Sequence, residues 1–244
     1  MIEVRPLTEH GDLTEAVRLQ KEIWGFHDID LLPVRLFVVA TKIGGQVFGA
    51  YDGARMVGFC LSIPGLKTDG SGYLHSHMLG VTQEYRNYGA GRLLKLAQRE
   101  EALLRSIHLI EWTFDPLEIK NAYFNMERLG AVVRRHVYNQ YGVTTSRLNG
   151  SLPTDRLIAE WHLASERVSA IVSGAPATRP RVEQRINVPA SIAQLRLSDP
   201  AQARQIQAHI SDQFQLHLSS GLAVIGMERS KEAGTYLLGK WDSR

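Results

Sequence analysis

One cysteine, Cys60, stands in a chain of 244 residues. A lone thiol excludes an internal disulfide and any cysteine-based metal site, and it makes a reducing, cytoplasmic setting the expectation. Long apolar runs are missing as well, so no segment reads as a membrane span. The opening Met1-Ile2-Glu3-Val4-Arg5 lacks the apolar stretch of a signal peptide and leads directly into a strand pattern. Neither sign of charge dominates: 28 Lys and Arg against 25 Asp and Glu leave a net charge of +3, without a long basic run. The pI of about 9.0 is mildly basic. This balance gives no electrostatic footprint for nucleic acid and only weakly favours an anionic co-substrate. There is no internal repeat and no low-complexity tract.

What is present is ordinary globular material. The 44% hydrophobic and 22% charged residues support one large domain, or one domain with a smaller companion. Ile2–Leu7 reads as a strand. Asp12-Leu13-Thr14-Glu15 approximates a capping box before a helix whose face is Leu13, Ala16, Val17, Ile23 and Trp24. A second helix is expected over Val34–Ile43. Gln46–Tyr51 and Arg55–Ile63 read as strands joined by Asp52-Gly53, a hairpin signal. Tyr73–Val81 is the next strand. A helix to about Ile107 follows, with Leu93, Leu96, Ala97, Leu103, Leu104 and Ile107 at helical spacing. Leu109–Phe114 is a strand, and Asp115-Pro116-Leu117-Glu118 supplies a cap, a first-turn proline and a glutamate for a helix ending at Leu129-Gly130. Ala131–Gln140 and Asp155–Leu163 complete the strands of the first part. The expected organisation is a domain over 1–168, a Gly/Ala/Pro/Ser-rich linker over 169–182 and a small α+β extension over 183–244. That extension has a strand near Arg185–Val188, a helix capped by Ser198 or Asp199, and strands at Leu222–Met227 and Thr235–Lys240.

The most informative stretch is Tyr73–Leu94: strand, turn, glycine-bearing basic loop, helix start. The loop Arg86-Asn87-Tyr88-Gly89-Ala90-Gly91 turns backbone N–H groups toward one point at a helix N-terminus, where the helix dipole favours a phosphate or pyrophosphate. Arg86 adds a charge-assisted donor. A nucleotide P-loop would end in Gly-Lys-Ser/Thr, but Gly91 is followed by Arg92-Leu93. A dinucleotide fingerprint would need a third glycine where Leu94 stands.

The remaining pattern resembles the R/Q-x-x-G-x-G/A pyrophosphate loop of the GNAT superfamily of acyl-CoA-dependent N-acyltransferases. The element order β-α-α-β-β-β-α-β-α-β-β through about residue 165 is also that of GNAT proteins, and YFNMERLGAVV is similar to the family's closing F-Y-x-K-L-G-F. The resemblance implies an α/β (α+β) fold with a mixed, mostly antiparallel sheet flanked by helices. It implies that Leu79, Gly80 and Val81 pair with the pantetheine arm, a backbone N–H at Leu79 facing the thioester oxygen. Arg86, Asn87, Tyr88, Gly89, Ala90, Gly91 and Arg92 would cradle the pyrophosphate, and Asn121 would contact CoA. Acetyl-CoA or another acyl-CoA, succinyl-CoA among them, would be the co-substrate, with no metal.

His75 and His77 share a strand face by alternation. They stand where GNAT relatives carry the general base, and a near-neutral histidine can take an amine proton; the alternative is two structural histidines. The usual general-acid tyrosine maps onto Met126, which donates no proton, leaving Tyr123 or Asn125 as candidates. Cys60 reads as a small buried hydrophobe. Trp112 reads as core, Trp24 and Arg35 as acceptor-side residues, and Arg35, Arg147 and Arg156 as interchangeable carboxylate candidates. A narrower likeness to bacterial GNAT proteins sharing the C-terminal extension points to a small-molecule amine, amino acids among them, as acceptor. Alternatives are a non-catalytic acyl-CoA-binding module and a protein-lysine acetyltransferase. No nucleic-acid or membrane partner is expected, and a homodimer is compatible with the sequence.

Overall fold

The structure is a computed structural model that describes residues 1–142 and 152–242. It divides into two compact units, residues 1–111 and residues 112 onward. The cut falls inside one strand, whereas the sequence places a boundary at 169–182.

In the first unit, strand β1 (Ile2–Pro6), helices α1 (His10–Trp24) and α2 (Val34–Lys42), strands β2 (Gln46–Asp52), β3 (Arg55–Leu66) and β4 (Gly72–Val81), helix α3 (Ala90–Leu104) and the first half of β5 (Leu109–Phe114) follow in order. The sheet runs β1-β2-β3-β4-β5. It is antiparallel except for β4 against β5, which pair in parallel at Leu74–Ile110 and His75–Glu111. The β2–β3 turn depends on Gly53, at φ 58°. Helices α1 and α2 cover one face through Leu13, Leu19, Phe37, Phe59 and Leu61. Helix α3 covers the other through Ala90 and Leu94 against Phe48, Val57 and Cys60. Each fully buried Leu or Phe of these layers contributes about 1.5–3 kcal/mol.

Three details differ from expectation. Helix α1 begins at His10, not after Asp12: the Leu13 N–H already bonds to the Glu9 carbonyl at 3.1 Å, while Asp12 turns to Arg5 at 3.3 Å and Glu15 to Arg18 at 2.8 Å instead of capping. Helix α3 stops at Leu104, where Ser106 adopts a left-handed φ of 58° and the Ile107 N–H bonds to the Ala102 carbonyl. Its buried face is Ala90, Leu94, Lys95, Gln98 and Ala102, while Leu93 and Leu104 are exposed.

The second unit holds the rest of β5, helix α4 (Ile119–Tyr123) continued by a π turn over Phe124–Arg128, strands β6 (Val132–Val137) and β7 (Arg156–His162), and α5 (Glu166–Ser173). Then come β8 (Gln184–Pro189), α6 (Ile192–Ser198), α7 (Pro200–Ser219), β9 (Ala223–Arg229) and β10 (Ala233–Gly239). Its sheet order is β5-β7-β6-β9-β10-β8, so the C-terminal strands join the sheet of β6 and β7. Helix α4 starts three residues later than Pro116 suggests. Asp115 accepts from the Leu117 N–H at 2.8 Å in a local turn, and Arg196 grips Asp115 at 2.6 Å and Glu118 at 2.9 Å. Helix α7 does begin at Pro200, capped by Asp199 on the Gln202 N–H at 3.0 Å. The 169–182 stretch includes the end of α5, and Arg179 within it makes a two-pronged bond to Glu127 at 2.9 and 2.8 Å.

Candidate acyl-CoA site

Strand β4 leads straight into the loop. After Thr82 bonds to the Val57 carbonyl at 2.9 Å, a short 3₁₀ turn over Gln83–Tyr85 reverses the chain. Asn87 and Gly89 then take left-handed φ values of 72° and 86°. Gly89 is the residue before α3, which has no side-chain cap and no acidic residue in its first turn. The first N–H groups of a helix have no intrahelical partner, so this end is left available to an anion. Arg86, Asn87, Tyr88 and Gly89 are exposed around it, while Ala90 is buried as the anchor. Arg86 leans back to the Val81 carbonyl at 3.4 Å.

The strand itself is irregular. Leu61 pairs with Met78 and Ser62 with Ser76, so His77 is the extra residue of a β-bulge. Leu79 packs toward α3 with Cys60 as its register partner. Gly80 faces the opposite side, where a Cβ would come within 2.5 Å of the Trp24 ring. That ring stacks on Phe26 at 5.7 Å and meets Phe59 edge-on at 5.9 Å, so Trp24 closes the end of α1 over β4. The segment after it is fixed by Gln20, which exchanges two 3.0 Å hydrogen bonds with the Leu32 backbone.

The rings of His75 and His77 lie 5.9 Å apart. Burial, aided by His77, lowers His75 to about 4, so its imidazole is neutral at pH 7. His77 is more open and is also lowered by desolvation. His75 faces Glu111 across the parallel ladder, and Glu111 is ion-paired with Lys67, whose amine sits 4.6 Å above the Tyr73 ring. Cys60 is fully buried and its thiol is pushed up to about 12 by desolvation, which leaves no nucleophilic thiolate at neutral pH.

No protein-family model and no curated protein matches the sequence. Solved structures do. The ribosomal-protein-S18-alanine N-acetyltransferase of Escherichia coli is 18% identical, with a TM-score of 0.51 over 68% of this chain and 97% of that one. Naa50 of Arabidopsis thaliana, solved with a CoA-containing bisubstrate analogue, is 15% identical, with a TM-score of 0.52 over 65% and 97%. A GNAT-family protein of Desulfovibrio desulfuricans is 14% identical, with a TM-score of 0.52 over 67% and 100%. The chain has the GNAT fold.

Of the remaining sequence candidates of this GNAT fold, all but Arg35 and Arg147 belong to the second unit. Tyr123 ends α4 with the Arg229 guanidinium 3.9 Å over its ring. Asn121, two residues earlier, is exposed. Met126 is fully buried in the π turn, beside Asn125, whose side-chain nitrogen lacks a partner. The π turn, with the Leu129 N–H reaching back to Phe124 at 3.1 Å, widens the helix and breaks the α-helical count from Gly130. Arg35 is exposed on α2. Arg156 lies 5.7 Å from the Tyr141 ring and 4.0 Å from Asp115. Trp112 is core, edge-on to Trp161 at 6.0 Å. Arg147 lies outside the described residues.

Sequence reasoning missed Lys67, Glu111 and the polar interior beneath α3: Gln46, Ser62, Ser76, Lys95 and Gln98, each at most 5% exposed. The available signal was two polar residues, Lys95 and Gln98, three apart on a helix beside Leu94.

Proposed function

We propose that the protein is an acyl-CoA-dependent N-acyltransferase that moves an acetyl or succinyl group directly to an amine within a ternary complex. The observation that carries this reading is the continuity of β4 into an uncapped, glycine-bent helix start, with two neutral histidines on the same strand. The acyl-CoA pyrophosphate is cradled by Arg86–Arg92 and the pantetheine arm lies along Leu79–Val81, as an added strand would. The acceptor nitrogen attacks the thioester carbon. A C–N bond forms, the nitrogen's proton passes to a histidine directly or through water, and the C–S bond breaks as the thiolate leaves and collects a proton. His77, the more open of the pair, is the better proton acceptor. Tyr123 and Asn121 are the second unit's candidates for protonating the thiolate and for contacting CoA, with Tyr123→Phe as the check on the first role.

The leading acceptor is a small amine, an amino acid among them, in the cytoplasm. A peptide or protein amine is the second reading, favoured by the S18-alanine and Naa50 neighbours. Among the described residues no helix is long and apolar enough to cross a membrane. Calorimetric titration with acetyl-CoA, succinyl-CoA and free CoA tests the proposal. Micromolar binding supports it and identifies the preferred acyl group; no binding to any of the three removes it. A panel of amines and N-terminal peptides then separates the acceptor readings and the non-catalytic one.

A further inference from the structure

Behind the histidines, under α3, runs a chain of buried polar side chains. Lys95 Nζ donates to Ser76 Oγ at 2.8 Å, and Ser76 Oγ donates to Gln98 Oε1 at 3.2 Å. Gln98 Nε2 donates to Ser62 Oγ at 2.5 Å, and Ser62 Oγ to Gln46 Oε1 at 3.1 Å. Gln46 Nε2 completes the run on the Gln98 carbonyl at 2.9 Å and on the Glu101 carboxylate. Burying an amine and this many amides costs free energy that an apolar interface would not. The location supplies the reason. Ser62 and Ser76 are register partners on β3 and β4, next to the step that leaves His77 unpaired.

We infer that Lys95, Ser76, Gln98, Ser62 and Gln46 are positioning residues that lock the β3–β4 bulge and thereby aim His77 and His75 at the acceptor amine. The inference rests on the acyl-transfer reading. Apolar side chains at 62 and 76 would tolerate a slipped pairing, and a slip by one residue sends every later side chain to the other face. Two hydroxyls that must meet Lys95 and Gln98 allow one register. Because bulges re-aim side chains, loosening this one moves the imidazoles and leaves the glycine loop, on the far side of Val81, in place.

The test uses the full chain with Ser76→Ala, Lys95→Met and both together. Removing both partners of a buried bond is gentler than removing one, so the double variant covers the case where Lys95→Met alone does not fold. Circular dichroism reports folding, calorimetry reports acyl-CoA affinity, and steady-state kinetics separate kcat from KM. Carbon-edited NMR of the histidine rings, with His75 and His77 assigned from their alanine variants, reports the imidazoles. The expected result is folded protein with acyl-CoA affinity within about twofold of the parent, His75 and His77 ring signals displaced, and kcat lower on the order of 10- to 100-fold. Folded variants with unmoved ring signals and unchanged kcat overturn the inference. So does the loss of folding in all three, which would make the chain a requirement of the fold itself. A parent protein that binds no acyl-CoA would sink the acyl-transfer reading separately, because the ring signals are read without turnover.

Discussion

Replacing Lys95 with methionine should remove a rise of stability with pH that the parent protein shows between pH 7 and 9. Lys95 is fully buried, and desolvation lowers its pKa from 10.5 to about 7. Between those values the unfolded chain holds a proton that the folded chain has released, so unfolding takes up a proton and stability climbs with pH. The slope approaches about 1.4 kcal/mol per pH unit. The cost of the buried amine is about 4 kcal/mol at pH 7 and about 2 kcal/mol at pH 9, and it vanishes once the pH exceeds the unfolded value. The parent should therefore gain about 2 kcal/mol over this range from Lys95 alone. Methionine matches lysine in length and does not titrate. Urea unfolding followed by circular dichroism at pH 7, 8 and 9 gives the stability of both proteins, and every other titrating group cancels in their difference. A difference that does not change with pH would refute the buried-amine argument.

Gly89→Asp places a side chain at φ 86° and a carboxylate at the anion site, and should abolish acyl-CoA binding by calorimetry while the circular dichroism spectrum stays that of the parent. The His75→Ala, His77→Ala double variant should lose kcat on the order of 100-fold. In the parent, the acid limb of kcat/KM should fall below pH 6.5, since desolvation keeps both imidazoles neutral further into acid. Gly80→Val drives its Cβ to within 2.5 Å of the Trp24 ring and should cost about 1–3 kcal/mol in urea unfolding. Arg196→Ala removes the guanidinium that bridges Asp115 and Glu118, leaving Asp115 only the more distant Arg156, and should lower stability by about 1–3 kcal/mol, seen as a drop in Tm.

The order of elements from β1 to β7, the glycine loop and the start of α7 were legible because they rest on local chemistry: Gly53 in a two-residue turn, Gly89 before a helix, Asp199 before Pro200. What escaped needed the partner surface. The α3 stripe was read through Leu93 and Leu104, both exposed, because Lys95 and Gln98 look like solvent-facing residues until Ser62 and Ser76 are known to face them. The Asp115-Pro116 helix start was displaced by Arg196, 81 residues away in sequence. The count back from Gly130 crosses the π turn, where 3.6 residues per turn no longer holds. Short-range signals survive this kind of reading, and long-range polar pairing does not.

The addition of β9, β10 and β8 beyond β6 bears on how copies of the chain can meet. Within its unit β6 lies between β7 and β9, bridged to β9 at Val133 and Val224. β1 is an edge strand of the first unit and β8 of the second; they have five and six residues, and each ends in a proline. Short strands bearing charge and proline are poor templates for recruiting another chain. Strand addition by a second copy is thereby discouraged at β1 and at β8.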